Sequence, residues 1–504
     1  MNRIILFEAL VAFLLPLCSV AENRPNIIFL LTDDQSTSSV GSYGNPDVKT
    51  PQIDRLAADG VSFDRYYTTT AICMASRATA MTGKYEYKTG CNFEHGDLLT
   101  SLWQQSYPVL LREAGYTTAF AGKFGFELRD GPEGEKLGMP EEDFDRWGGG
   151  PDQTYYQTAK NESMAAYADD YPHSTRSYGA FGRDFIKGAA AGDAPFCLSI
   201  SFKAPHRPTT PDPIDDDVYA GKIFEKPENY GREKGDHFSM QSRQGRQYKR
   251  FHDWHYSDDY DRVMATYYQQ IYAIDVAVGM IRDALVEAGV DKNTVVIFTS
   301  DNGFFNGSHG YGSKVLPYEE ASRVPMIIYD PRSANSGQAQ RRDALAANID
   351  IAPTILSLAG LAVPSEMDGG SLMRIYENPT AANHESIALI NVWGSKPAQA
   401  MGVVTKDKKY LYWGYAEEGF QETEELYNLV EDPLELTDLT AQADSQADLK
   451  TMRRIYDQHL ARWQEQAVAH HGYQPYGTYF DRKASWSEKR AEFAKLGWKP
   501  SANH

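Results

Sequence analysis

Asn26-Ile27-Ile28-Phe29-Leu30-Leu31-Thr32-Asp33-Asp34-Gln35 is apolar without a break from Ile27 to Leu31 and then turns acidic. A half-exposed strand alternates polar and apolar residues, whereas an unbroken run fits a strand buried on both faces of a parallel sheet. Similar short runs recur at 117–121, 196–202, 295–299 and 325–329. Helical patterns lie between them, at 53–59, 76–81, 109–113 and, longest, 260–287. In the last, Val263, Tyr267, Ile271, Ile274, Val278 and Ile281 recur at helical spacing before Gly289 stops it. Strands alternating with helices predict an α/β fold: a large mixed, mainly parallel sheet flanked by helices, with ligands gathered beyond the carboxyl ends of its strands. After about residue 375 the texture changes to short strand-like runs at 387–391, 400–405 and 409–413. A helical stretch near 445–467 and an aromatic, basic tail follow. This end reads as a smaller C-terminal α+β subdomain carrying a short antiparallel sheet. The expected division is 1–21, 22–375 and 376–504.

The first 21 residues read as an export signal. Arg3 precedes an apolar run interrupted by Glu8 and Pro16, and Ser19-Val20-Ala21 suits cleavage after Ala21. The chain is therefore expected to be exported, to the periplasm or beyond the cell. Bulky Leu17 argues against a lipid anchor on Cys18, and nothing after the leader is long and apolar enough to span a membrane. A net charge of −19 over 504 residues excludes nucleic acid as a partner of the body of the protein. It also means that an anionic ligand must be held by a local cluster of cations. Of the four cysteines, Cys73, Cys91 and Cys197 remain after the leader. That odd number marks one as a partner thiol or a chemically special residue, and pairing of Cys91 with Cys197 stays open.

Two carboxylates at the mouth of a buried strand repel each other unless a cation sits between them. Alone, Asp33-Asp34 reads at least as readily as a solvated acidic turn. Thr299-Ser300-Asp301-Asn302-Gly303 ends a second apolar run in the same manner, and two strand ends offering four hard oxygen side chains point to a metal site for calcium or magnesium. Cys73 opens a short helical stretch, 73–83, that closes on Gly83. A helix N-terminus favours negative charge, and Arg77 lies one turn along.

Cys73-Met74-Ala75-Ser76-Arg77, followed by Thr82-Gly83, resembles the signature of the formylglycine-dependent (type I) sulfatases of the alkaline-phosphatase-like superfamily, with Ala75 where proline is commoner. The resemblance extends in order from Asn26 to Leu439. It takes in the Asp33-Asp34 turn, Gly115-Tyr116 through Gly122-Lys123, and Ala204-Pro205-His206-Arg207-Pro208. It continues through the Asp301-Asn302 turn, Lys314 ahead of Tyr318-Glu319-Glu320, Asp350-Ile351-Ala352-Pro353-Thr354 and Glu425-Leu426-Tyr427-Asn428-Leu429. It implies a sulfatase in which a maturation enzyme oxidises Cys73 to formylglycine. Asp33, Asp34, Asp301, Asn302 and modified Cys73 would hold calcium. Arg77, Lys123 and Lys314 would bind sulfate oxygens, and His206 would protonate the leaving oxygen, with Lys314 as the alternative donor.

One departure stands out. The family continues Lys-x-His where this chain has Lys123-Phe124-Gly125. His95 or His309 would have to substitute if the fold brings either close. The expected substrate is a sulfated polysaccharide or oligosaccharide, with Arg207, His309, Arg246 and Arg250 as candidate contacts. The basic stretch 231–255, with Tyr248, Phe251 and Trp254, reads equally as glycan subsites or as a solvated insertion. Two other functions remain open: a phosphoester or phosphonate hydrolase on the same scaffold, and a sulfated-glycan binding protein whose catalysis has decayed.

Overall fold

A computed structural model describes residues 24–495, so the leader and Cys18 lie outside the described residues. Eight strands form the main sheet: β1 (Asn26–Thr32), β2 (Val61–Phe63), β3 (Thr117–Lys123), β4 (Arg146–Gly150), β5 (Phe196–Ser201), β6 (Thr294–Ser300), β7 (Met326–Tyr329) and β8 (Gln340–Arg342). Their order is β8-β2-β7-β6-β1-β5-β3-β4. Within this sheet only β7 runs against its neighbours, β6 and β2; the remaining pairings are parallel. The sheet is therefore mixed and mainly parallel, as the apolar runs predicted. The strands without such a run are the short β2 and β8 and the glycine-rich Arg146-Trp147-Gly148-Gly149-Gly150 of β4.

Helices cover both faces. α1 (Pro51–Asp59), α4 (Ser174–Ala189) and α6 (Tyr260–Glu287) close one side, where Ile274, Val278 and Ile281 of α6 join Ile28, Leu30, Leu198 and Ile200 in one core. α2 (Cys73–Thr82), α3 (Tyr107–Glu113) and α7 (Ile351–Leu358) lie on the other, against Ile27, Phe29, Leu31, Val295 and Ile297. β1 thus buries alternate residues in two different cores, which is why its sequence shows no alternation. α2 begins at Cys73 and closes on Gly83, as the motif reading predicted, although the apolar pattern alone marked only 76–81; all ten of its residues are buried. No described helix is long and apolar enough to cross a membrane.

A second, four-stranded antiparallel sheet runs β9 (Ile387–Asn391), β10 (Ala400–Val404), β11 (Lys408–Trp413), β12 (Thr423–Asn428), backed by α8 (Gln446–Gln466). β12 was expected only as a landmark motif, because its Glu424-Glu425 pair masks the strand pattern. This sheet is welded to the first unit. The Ile390 N–H donates to Thr69 O (2.7 Å), just ahead of Cys73, and Tyr318 stacks on Phe238 at 3.8 Å while its hydroxyl donates to buried Glu425 (3.1 Å).

Gly122 sits at φ +99° in β3, and a Cβ there would meet Ser201 O at 2.0 Å. Only glycine lets β3 approach β5 this closely one residue before Lys123. Gly122→Ala is expected to cost about 1–3 kcal/mol, read as a lower thermal unfolding midpoint; an unchanged midpoint would contradict this packing account.

Candidate active site

The carboxyl ends of four adjacent parallel strands deliver the site. β1 and β6 pair in register with Thr32 opposite Ser300, so the residues that follow, Asp33-Asp34 and Asp301-Asn302, emerge at one level. β3 ends on Lys123, and β5 runs into the loop bearing Lys203 and His206. Asp34 adopts φ +70°, a conformation that aspartate tolerates better than most residues. Its carbonyl accepts from the Tyr267 hydroxyl (2.7 Å), which in turn receives the Ser36 N–H (3.0 Å).

Single ligand atoms of Asp33, Asp34, Cys73 and Asp301 all lie within 4.8 Å of one another, all four residues buried. Asn302 donates its Nδ2 to Asp34 Oδ1 (2.7 Å), while its Oδ1 is buried without a partner. Three carboxylates, a soft sulfur and an orphaned amide oxygen around one point fit a hard divalent cation held mainly through oxygen. Cations surround the acids. The Arg77 Nε donates to Asp301 Oδ2 (2.8 Å), Nη1 to Lys123 O (2.6 Å) and to the Ser201 hydroxyl, and Nη2 lies 3.4 Å from Asp33. The Lys123 ammonium donates to Asp33 and to Gln153 Oε1 (2.7 Å). The Lys314 ammonium donates to Asp34 and to Cys73 Sγ (2.6 Å). Burial opposes ionisation of Asp33, but Lys123, Lys314 and Arg77 outweigh it and hold its carboxyl well below the usual range. Asp301 moves the other way, raised by burial and by the charge of Asp33, a stress that a bound cation relieves.

Cys73 heads α2 with its thiol donating to Asp33 Oδ1 (3.2 Å). Burial and the Asp33 charge push that thiol up to about 12, so without a cation beside it the thiol stays protonated at neutral pH. His206 lies beside Asp34, with Nε2 3.9 Å from Oδ2, and its Nδ1 is buried without a partner. Burial pushes its imidazole down to about 4; it is neutral until an anionic ligand brings more negative charge.

Above this floor opens a cavity of about 470 Å³, lined by Asp34, Cys73, Gln153, His206, Lys314 and, at its walls, Arg207, Arg246, Arg250, Trp254 and Trp393. Its size is that of a small-ligand site. Arg77 and Lys123 lie fully buried beneath it, occupied with the carboxylates.

His309 is not at the cavity, and the expectation that it contacts a ligand is corrected. It is fully buried, with Nδ1 3.0 Å from Lys234 O and Nε2 3.1 Å from the Asn229 amide and 3.5 Å from Glu320. Glu320 outweighs the burial and raises its pKa, so it serves a structural ion pair. His95 does not replace the missing histidine either. Its ring nitrogens face His471 O (2.9 Å) and Val392 O (3.0 Å). At Gly125, φ is +91° and a Cβ would stand 2.5 Å from Arg77 Cδ; the Arg77 stem fills that space. Gln153 instead reaches Lys123 at the cavity edge.

The basic stretch 231–255 divides. Arg246 and Arg250, on α5 (Arg246–Asp253), line the cavity. Arg232 is spent on Tyr248, donating to its carbonyl (2.6 Å), and Lys249 pairs at the surface with Asp253 (3.2 Å). Sequence reasoning missed Gln153, Lys203 and Trp393. Gln153 and Trp393 stand in no motif. Lys203, directly after an apolar run and three residues before His206, did carry a positional signal. Its ammonium donates to Gln153 O (2.7 Å) and Thr154 O (3.1 Å), and burial lowers it to about 8. Cys91 and Cys197 are both buried and unpaired.

A family model described as Sulfatase matches residues 25–361, and one described as N-sulphoglucosamine sulphohydrolase, C-terminal, matches 307–464. The chain is 27% identical over 511 aligned positions to an N-acetylglucosamine-6-O-sulfatase of Bacteroides thetaiotaomicron, covering 86% of each. It is 29% identical to an N-acetylgalactosamine-6-sulfatase of Rattus norvegicus, covering 71% of this chain and 66% of the relative. Among solved structures, a protein in complex with its substrate D-glucosamine-2-N,6-O-disulfate superposes with a TM-score of 0.72 at 25% identity, covering 88% of this chain and 98% of that one. A phosphonate monoester hydrolase of Agrobacterium radiobacter shares the fold, with a TM-score of 0.69 at 21% identity, covering 88% of this chain and 96% of that one.

If the acid cluster holds a cation, calcium at a hundredfold excess over its Kd adds about 2.7 kcal/mol to the folded state. The unfolding midpoint should rise on adding calcium and fall back with chelator, and Asp301→Asn should remove most of the rise. A midpoint indifferent to calcium and magnesium would contradict the metal assignment.

Proposed function

The chain belongs to the sulfatase family, and from that premise we propose that it hydrolyses sulfate esters on sulfated saccharides with a formylglycine made from Cys73 beside a calcium ion. The activity class, a sulfuric ester hydrolase, follows from the family and its sulfatase relatives. The observation that carries the finer reading is the state of Cys73. As a thiol it is buried against Asp33 and Lys314 with its ionisation suppressed to about 12, the reverse of what a working cysteine nucleophile needs. Placement of Cys73 at a helix N-terminus among metal-type ligands makes sense for an oxygen nucleophile derived from it. Its hydrated aldehyde supplies two hydroxyls on one carbon, one to attack sulfur and one whose later deprotonation expels sulfate. Asp33, Asp34, Asp301 and Asn302 would hold a calcium ion, which would supply Lewis-acid polarisation of a sulfate oxygen.

The remaining chemistry falls to side chains. A sulfate ester brings one negative charge spread over three oxygens. Lys314, at the cavity wall beside Cys73, is the ammonium best placed to receive it. Burial opposes its charge, but Asp34 and Asp33 hold it well above the usual lysine range, so it stays a cation. Lys123 and Arg77 balance the carboxylates from below, and a metal that took over that balance would leave their N–H groups available to the sulfate. His206, neutral in the free protein, takes up a proton more readily once an anion lies beside it; its unpartnered Nδ1 and its place at the cavity support the role of proton donor to the leaving oxygen. Gln153 can orient Lys123 but cannot move a proton, so turnover here rests on bases other than the histidine that Gly125 replaces. The leader-like first 21 residues support export, where sulfated polysaccharide fragments are met.

Protein co-produced with a formylglycine-generating enzyme should yield a Cys73 peptide about 18 Da lighter than its cysteine form, reactive with an aldehyde label. Cys73→Ala should release sulfate at least about 10³-fold more slowly. An unmodified thiol in protein that still releases sulfate, or near-native release by Cys73→Ala, would defeat the formylglycine reading.

A further inference from the structure

We propose that the cavity wall carries a second anion-binding subsite, made by Arg207, Arg246 and Arg250, and that the preferred substrate is a saccharide bearing a further anionic group, a sulfate or a uronate carboxylate, near the sulfate that is cleaved. The proposal rests on the sulfatase reading above and names its substrate class.

The three guanidinium groups line the same cavity as Cys73, His206 and Lys314, yet the reading above already gives the scissile sulfate Lys314, with Lys123 and Arg77 beneath it. They are surplus to it. None of them forms an ion pair with a carboxylate among the described residues, unlike Arg77, Arg176 and Arg323, each of which does. The acids that act on them, Glu94 on Arg246 and Asp34 and Asp253 on Arg250, do so only at a distance. Arg250 makes one hydrogen bond, from Nη1 to the Ser313 hydroxyl (2.7 Å). Burial, and the neighbouring charges of Arg246 and Arg207, push Arg250 down to about 10. Arg250 is thus a guanidinium pressed by two more at the same cavity wall, a stress that an anion among them removes.

The groups are also held in place for this task. Arg207 and Arg250 lie over the Trp254 ring at 4.5 and 4.2 Å, and Arg246 over Trp393 at 3.9 Å. Stacking on indole orients a guanidinium and leaves its N–H edges available for a planar or tetrahedral oxyanion. Trp254 is itself parallel to Phe304, 6.1 Å away. The backbone ties this wall to the nucleophile. The Gly312 N–H donates to Gln247 O on α5 (2.9 Å), and a Cβ at Gly312 would stand 3.0 Å from Arg250 O. Two residues on, Lys314 donates to Cys73 Sγ. The subsite and the reacting atom are therefore fixed relative to each other, as recognition of a second substituent at a set spacing requires.

The test is the affinity of Cys73→Ala protein, measured by calorimetry at fixed ionic strength with calcium present. Three disaccharides serve as probes: one bearing a single 6-O-sulfate, the same with a second sulfate, and the same with a uronate carboxylate. At least one doubly anionic probe should bind about tenfold or more tighter than the singly sulfated one, and the tighter of the two identifies the second group. In Arg246→Gln/Arg250→Gln protein the preference should fall below about threefold. Because the preference is a ratio measured on one preparation, partial misfolding of the variant does not alter it. A ratio near one in the parent, a ratio that survives the double substitution, or no binding of any probe overturns the proposal. Sulfate release from the singly sulfated probe by unsubstituted enzyme tests the sulfatase reading on its own, so loss of that activity with the binding ratio intact sinks the parent reading and leaves the subsite standing.

Discussion

Three carboxylates, Asp33, Asp34 and Asp301, are buried around one point, and much of the site exists to make that tolerable. In a low-dielectric interior such a cluster is untenable without cations, and removing one partner of a buried pair typically costs about 3–5 kcal/mol. Arg77, Lys123 and Lys314 supply the compensation in the free protein. Each is anchored where this requirement puts it: Arg77 one turn into a fully buried helix, Lys123 at the last residue of a parallel strand, Lys314 on a loop braced by α5. Cys73 is placed by the same constraint, since the Arg77–Asp301 pair fixes how α2 is seated against the strand ends. The array carries equal numbers of formal acids and bases, so one divalent cation would tip it positive, which suits a singly charged ester.

The scaffold was legible because its signals are local. Unbroken apolar runs ending in Asp-Asp and Ser-Asp-Asn identify doubly buried strands with polar mouths, and the register of β1 with β6 then brings the two turns together. The weaker strands were not legible: β4 is three-fifths glycine, β2 and β8 have three residues each, and all are held by neighbours rather than by their own propensity. The apolar pattern alone marked only 76–81 of α2, because Ile72 precedes the helix without a side-chain cap; its start at Cys73 came from the motif.

The cavity floor was readable as motif and the walls were not. His309 fails as a site residue because its partner Glu320, eleven residues on in sequence, holds it in a separate buried cluster. Gln153 and Trp393 reach the cavity from segments far from any motif, Trp393 from beyond β9 of the second sheet. Such contacts are set by tertiary packing, which no local pattern encodes. The same division holds for function: strand ends give the reaction class, while loops and the second sheet give the walls that select the ligand.

The fold is shared with a phosphonate monoester hydrolase, so the measurement that bears most directly on the account is the choice between sulfur and phosphorus. Among the described residues, the groups of three or more that could hold a metal all share Asp33 and Cys73, a single candidate cation site, which favours a singly charged ester over a dianion. Inorganic sulfate and phosphate released from matched 6-O-sulfated and 6-O-phosphorylated disaccharides, quantified by ion chromatography on formylglycine-bearing enzyme, decide it. The account predicts kcat/KM for the sulfate ester about 10²-fold or more above that for the phosphate ester. Equal rates, or phosphate released faster, would contradict it.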